Sequence, residues 1–185
     1  MLRKLFLAGY CLLTLASTAL AAGKRVILVG VISDSNCGLK HAVPGSAAAQ
    51  CVIKCTSNGA NFVLVSGGRI YRFSEKIQFL KSFAGKKVEV IGDLTGVTIA
   101  GDYIAVNEVQ GDLPKNLQLF EGTLKNVAGK FMLETDGRVY SVDPSAARYK
   151  ESLPVYTGEA VEVVGTSDGN TIHLLEVLNR EPNMP

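Results

Sequence analysis

Three cysteines and one histidine lie close together in the first half of the chain. Cys37 precedes His41 by four residues, and Cys51 precedes Cys55 by the same interval. On a helix, residues four apart project from one face, so each pair could present two donor atoms together. Three thiolates and one imidazole form a common structural zinc set, and sulfur donors also suit copper(I) or iron. This spacing predicts a metal site, zinc in the first instance, formed by Cys37, His41, Cys51 and Cys55.

The same cysteines also permit disulfide chemistry, which is the usual fate of thiols in exported proteins. A bond between Cys51 and Cys55 is disfavoured in an intact helix, because Cβ atoms about 5–6 Å apart exceed the roughly 3.5–4.5 Å that a disulfide needs. Cys37 could pair with either one, leaving a third thiol whose pKa Lys40 or Lys54 could lower. A thiol redox protein, and a structural or interaction module with one stapling disulfide, therefore remain open alternatives.

Local signals indicate how the second cysteine pair is positioned. Ser46 is a suitable residue to cap a helix start, alanines follow it, and Asn58-Gly59 can end a helix in the left-handed conformation. We therefore expect a helix within an insertion that spans 33–60, and insertions of this length in small domains are usually functional. Asp34, at the start of the insertion, could act as an alternative ligand or accept a hydrogen bond from one.

The scaffold around the insertion is repeated along the chain. Segment 62–71 aligns with 131–140, and 83–92 aligns with 156–165. Each copy has strand-like segments rich in β-branched residues, among them Arg69–Phe73 and Tyr103–Val109 in copy one. Glycine turns such as Gly67-Gly68 lie where tight hairpins require positive φ. Segment 75–83 has apolar residues at helical spacing after the third strand. This order predicts an all-β protein of two tandem, five-stranded, OB-like barrels.

The insertion distinguishes the two copies. It lies between the first and second strands of copy one, whereas copy two has a short connection near Asn126. We expect 22–113 to form the first barrel with its Cys/His loop, and 114–185 to form the second barrel without it.

The first residues predict export. Arg3 and Lys4 precede an uncharged apolar run that ends in Ala19-Leu20-Ala21, which is typical of a signal peptide spanning 1–21. We therefore expect a periplasmic or secreted protein, from which Cys11 is removed with the leader. The two leader cations account for the excess of Lys and Arg (19) over Asp and Glu (17), so the rest is neutral. Neutrality argues against nucleic acid as a partner, and no other apolar run reaches the roughly 20 residues of a membrane span.

The first copy carries one compact signature: Asp34-Ser35-x-Cys37-Gly38, His41, Cys51-x3-Cys55 and a Gly-Arg-x-Tyr hairpin. This signature resembles that of an uncharacterised group of small exported bacterial proteins, over the range Val29 to Val109. The resemblance implies bacterial origin and export, and it implies no activity. Copy two lacks every cysteine and histidine of the signature, so the predicted site belongs to copy one alone.

Motifs of the common hydrolases are absent from the sequence. The chain has two histidines, His41 and His173, and no Gly-x-Ser-x-Gly elbow, phosphate-binding glycine loop or His-Glu-x-x-His helix. Thr56 follows Cys55 where covalent haem attachment would need histidine. We therefore expect a binding module rather than an enzyme. In this hypothesis a metal orders a loop that recognises an unidentified small molecule or protein.

Overall fold

The computed structural model describes residues 23–114, 116–148 and 150–179, so the predicted signal peptide lies outside the described residues. Within these ranges no helix combines the length and apolar character that crossing a membrane requires. The first half contains strands β1 (Lys24–Asp34), β2 (Phe62–Ser66), β3 (Arg69–Phe73), β4 (Lys87–Thr95) and β5 (Thr98–Glu108). The second half contains β6 (Gln118–Val127), β7 (Lys130–Thr135), β8 (Arg138–Asp143), β9 (Ala160–Asp168) and β10 (Thr171–Asn179).

The strands form two closed barrels with the same neighbour relations. The first has the order β1-β2-β3-β5-β4, and the second has β10-β8-β7-β6-β9. Each barrel closes through one parallel pair, in which Arg72 faces Thr98 in the first and Ser141 faces Thr171 in the second. The predicted all-β fold of two five-stranded barrels, with a helical insertion between β1 and β2, is confirmed. The domain limits 22–113 and 114–185 stay a prediction.

One glycine in each barrel allows the first strand to bend past its neighbour. A Cβ on Gly30 would collide with the carbonyl oxygen of Val65, and a Cβ on Gly122 with that of Glu134. The first strand can then pair with two neighbours in succession. In barrel one, Lys24–Val31 pairs with β4 and Val31–Asp34 pairs with β2.

A 3-10 helix packs against the core of each barrel. The predicted helical stretch after β3 is a 3-10 helix over Gln78–Phe83, and its counterpart in the second half spans Lys150–Tyr156. Ile77, Leu80 and Phe83 are spaced by three residues, which matches the 3-10 repeat. Leu80 and Leu153 are buried in the two barrel cores.

The barrels pack against each other through an apolar cluster bordered by charged groups. Ile91 and Ala105 from the first barrel join Val164 and Leu178 from the second. Salt bridges cross the same boundary: Arg25 to Glu162 at 3.2 Å, and Arg148 to Glu89 at 3.5 Å.

Candidate metal centre

Asp34 ends β1 and fixes the start of the insertion. Its Oδ1 accepts hydrogen bonds from the N–H groups of Asn36 (3.0 Å) and Cys37 (2.9 Å), an arrangement that short acidic side chains commonly form at turns. The residue is fully buried, and its Oδ2 has no hydrogen-bond partner among the described residues. A buried carboxylate oxygen without a partner is costly, so this atom would be stabilised by a cation or a proton.

Hydrogen bonds hold the two ends of the insertion together. The Ser35 N–H donates to the Asn61 carbonyl at 2.8 Å, and the Asn61 N–H donates to Ser35 Oγ at 3.1 Å. Ser33 Oγ donates to the Gly38 carbonyl at 2.9 Å. Gly38 has a φ of 50° and lies against Ile70, whose Cδ1 would be 2.7 Å from an added Cβ. The positive φ, more than the contact with the flexible Ile70 side chain, therefore favours glycine after Cys37.

A 3-10 helix over Gly38–His41 supplies the helical turn that the spacing of Cys37 and His41 needs in order to project both side chains together. This turn brings the His41 ring back toward Cys37. His41 Nε2 is buried and has no hydrogen-bond partner among the described residues. A buried ring nitrogen without a partner is able to donate its lone pair to a metal ion.

The second cysteine pair lies on the helix predicted for it, α1 (Ser46–Ser57). The prediction that Ser46 caps this helix is wrong. Gly45 occupies the cap position, and its N–H donates instead to the carbonyl of Gly85 at 2.9 Å, which ties the helix start to the barrel. The prediction for the other end is confirmed, because Gly59 follows the helix with a φ of 97°.

The four predicted ligands and Asp34 form two overlapping groups of donors. In one, the donor atoms of Cys37, His41 and Cys51 lie within 4.8 Å of one another. In the other, those of Asp34, Cys37 and Cys55 do so. Cys37 belongs to both groups, whereas His41 and Cys55 fall in different ones. The structure thus brings all four predicted residues to one place, and their assignment as ligands stays a prediction.

The sulfur atoms are close but unbonded. Cys37 Sγ lies 3.9 Å from Cys51 Sγ, and all three cysteines of the insertion are free thiols. The sequence indicates Asp34 as an alternative ligand or as a hydrogen-bond acceptor beside the four predicted residues. Its full burial, which only the fold reveals, favours a role in the cluster.

Two thiols of the cluster, those of Cys37 and Cys55, have raised pKa values. Burial is the main cause that raises the pKa of Cys55 to about 11, and the negative charge of Asp34 adds to it. Burial also raises the pKa of Cys37, together with its hydrogen bond to Cys51 and the charge of Asp34. For these two thiols the shift is opposite to the lowering expected from Lys40 or Lys54. A cation bound among them would reverse it by favouring the thiolates.

The second barrel has no such cluster among its described residues. Its β6–β7 connection is a tight turn at Ala128 (φ 52°) and Gly129 (φ 81°), as the sequence predicts. His173 lies half-exposed on β10 and contacts Asp143 Oδ2 through Nδ1 at 3.1 Å. The remaining histidine thus has a simple surface partner.

No family model, no curated protein and no solved structure matches the chain. The resemblance to exported bacterial proteins therefore stays a prediction, as do export and the signal peptide.

Proposed function

We propose that the insertion of the first barrel binds a single zinc ion through Cys37, His41, Cys51 and Cys55. The observation that carries this proposal is the sharing of Cys37 between two donor groups, each within 4.8 Å. An ion held by Cys37 could recruit the remaining donors from both groups with small side-chain movements. The ion would then tie the 3-10 helix, α1 and the end of β1 together.

The environment of the cluster favours a cation over a set of neutral thiols. His41 Nε2 and Asp34 Oδ2 are both buried without partners, which is unusual for polar atoms. Structural zinc sites in small peptides have apparent binding free energies of about 10–16 kcal/mol at neutral pH, a range that already includes the cost of deprotonating the thiols. Asp34 would orient Cys37 through Oδ1, which accepts the Cys37 N–H, and its carboxylate would lie beside the ion as an alternative ligand.

Zinc suits this donor set better than the other metals considered. Three sulfurs and one imidazole satisfy its tetrahedral preference without a vacant position, which is typical of a structural site. Copper(I) also binds thiolates, so metal analysis must distinguish zinc from copper. We propose that the ion has no catalytic role and orders a recognition loop, in a protein exported to the periplasm or outside the cell.

One observation favours a second candidate function, thiol redox chemistry. Cys37 and Cys51 are 3.9 Å apart at sulfur and could form a disulfide after a small movement. In that reaction a disulfide of a partner protein would be reduced to two thiols while Cys37 and Cys51 lose two electrons and two protons. The raised pKa of Cys37 works against this candidate, because the thiolate is the attacking species.

Metal content and thiol count separate the two candidates. We expect the full chain, purified without chelator, to carry one equivalent of zinc and to expose its cysteine thiols to reagent only after unfolding with chelator. A protein without metal that has a single thiol available in the insertion would contradict the zinc site and support a disulfide.

The two histidines offer a matched pair of variants. His41→Ala should weaken zinc binding by at least the roughly 10–100-fold typical of groups that merely support a ligand. His173→Ala removes the same ring from an exposed position and should leave zinc affinity unchanged. Equal zinc affinities for both variants, measured by chelator competition, would show that His41 is not a zinc ligand.

A further inference from the structure

A cavity of about 710 Å³ lies beside the candidate metal centre. Its walls are the C-terminal end of α1, the start of β2, the end of β3 and the segment that leads into the 3-10 helix at Gln78–Phe83. Ser35 also lines it, one residue after Asp34, so the cavity borders the start of the insertion. The volume is within the usual range of small-molecule sites, about 300–1,000 Å³.

The charged groups of the cavity are mainly positive. Arg72, Lys76 and Lys81 line it, against one carboxylate, Glu75. None of the three cations forms an ion pair with a carboxylate in the described part of the chain. Unpaired cations in a concave surface concentrate field lines and attract anions, even on a chain with little net charge.

The cavity also has an apolar side. Phe62, Phe73 and Ile77 line it, and each is partly buried against the barrel core. Their accessible parts offer an apolar surface next to the cations. A site of this kind holds a ligand that has a charged group at one end and a ring or apolar group at the other.

We propose that this cavity binds a small organic anion that carries a ring or an apolar group. Arg72 receives the negative group, assisted by Lys76 and Lys81, and Phe62 and Phe73 contact the apolar part. The inference goes beyond the metal site, since none of these side chains belongs to the donor groups.

The second barrel provides an internal comparison for this site. Leu64 faces Tyr71 across the β2–β3 hairpin, as Leu133 faces Tyr140 across β7–β8. The next residues along the strand are Arg72 and Phe73 in the first barrel, and Ser141 and Val142 in the second. The duplicated scaffold therefore folds without the cation and without the ring, which indicates that neither is needed for barrel closure.

Two fluorescent probes test the proposal on the full, metal-containing chain: anilinonaphthalene sulfonate, which is an aryl anion, and phenylnaphthylamine, its neutral analogue. We expect the anion to bind more tightly than the neutral probe. Arg72→Ser should weaken the binding of the anion by about tenfold, as expected when a charged contact is lost. Arg69→Ser, on the same strand but outside the cavity, should leave its affinity unchanged.

Two outcomes would overturn the proposal: unchanged affinity of Arg72→Ser for the anion, or equal affinity of the unaltered chain for both probes. Thermal unfolding and zinc content are measured on every sample, so that a folding defect is recognised. Anion binding by a chain that holds no zinc would contradict the proposed metal site while supporting this cavity. Zinc binding without selective anion binding would contradict the cavity alone.

Discussion

The two barrels differ most in the connection between their first and second strands. In the first barrel β1 ends at Asp34 and β2 begins at Phe62, with the Cys/His insertion between them. In the second, Ala128-Gly129 joins β6 to β7 directly. Strand order and the closing parallel pair are the same in both. The barrel therefore does not need the insertion in order to close, and the chemistry of the insertion is an addition to a scaffold that folds without it.

The insertion nevertheless uses the barrel to hold its donors. Val52 on α1 is fully buried, and the Gly45 N–H is bonded to Gly85 in the segment before β4. A Cβ on Gly85 would collide with the backbone of Ala49, so the helix lies directly on that segment. Cys51 and Cys55 are thereby fixed on one side, while Asp34 fixes Cys37 on the other.

The largest effect that we predict separates Cys37 from the other cysteines. Cys37→Ser removes a donor from both groups and should abolish stoichiometric zinc binding. Cys51→Ser or Cys55→Ser removes a donor from one group and should leave weaker but measurable binding, which chelator competition can quantify. If the three variants lose zinc affinity equally, the three cysteines contribute equally to binding. Membership of Cys37 in both donor groups would then have no effect on affinity.

Metal removal should affect the first barrel far more than the second. We expect chelation to accelerate amide hydrogen exchange across the 3-10 helix at Gly38–His41 and across α1, because the ion holds them together. Exchange in β7 and β8 should not change. Mass spectrometry of peptides from each barrel provides the measurement, and uniform acceleration in both barrels would show that the ion stabilises the whole chain.

A smaller effect concerns the boundary where the barrels meet. Burial raises the pKa of Glu89 above its usual value, partly offset by the charge of Arg148 and hydrogen bonds from Asn107 and Arg148. Because the folded-state pKa is above the unfolded one, Glu89 contributes its stability below the unfolded pKa and loses it as pH rises through the folded pKa. The free energy of unfolding should therefore include a term that falls as pH rises above the ordinary range for glutamate.

Glu89→Gln should flatten this pH dependence by removing the titrating group, so that stability falls less between about pH 5 and about pH 7.5 than in the unaltered chain. Denaturant unfolding at the two pH values tests it. The exposed Glu159→Gln is the matched control and should keep the slope of the unaltered chain. An unaltered slope in Glu89→Gln would mean that Glu176, whose pKa is also raised by burial, accounts for the effect.

Much of this fold could be predicted because its signals are local. The bounds of β3 (Arg69–Phe73) match the sequence prediction, and Gly67, Gly68 and Gly137 adopt the positive φ that their turns require. The start of β5 could not be found in the same way. It begins at Thr98, after a hairpin at Gly96, whereas β-branched content indicated a start at Tyr103. Ala100, Gly101 and Asp102 have little strand propensity and separate Thr98-Ile99 from the β-branched run that follows Tyr103. Pairing of Thr98, Ile99 and Ala100 with β4 decides where the strand begins.

The candidate site also has one feature that local sequence signals predict and another that only tertiary packing decides. The spacing of Cys37, His41, Cys51 and Cys55 was sufficient to predict a common location, because helical turns set which side chains project together. Spacing could not show that His41 and Cys55 fall in different donor groups. Distances between the 3-10 helix and α1 depend on how both pack against the barrel.

The amino-acid sequence by itself determined the duplicated β architecture, the position of the insertion and the cysteine pairs within it. These features follow from turn glycines, β-branched runs and helical spacing, which act over a few residues. Tertiary structure alone decided the burial of Asp34, the cavity around Arg72 and the meeting of Glu89 with Arg148. Barrel closure and barrel packing bring together residues distant in sequence, and burial then changes the electrostatic cost of each charged group.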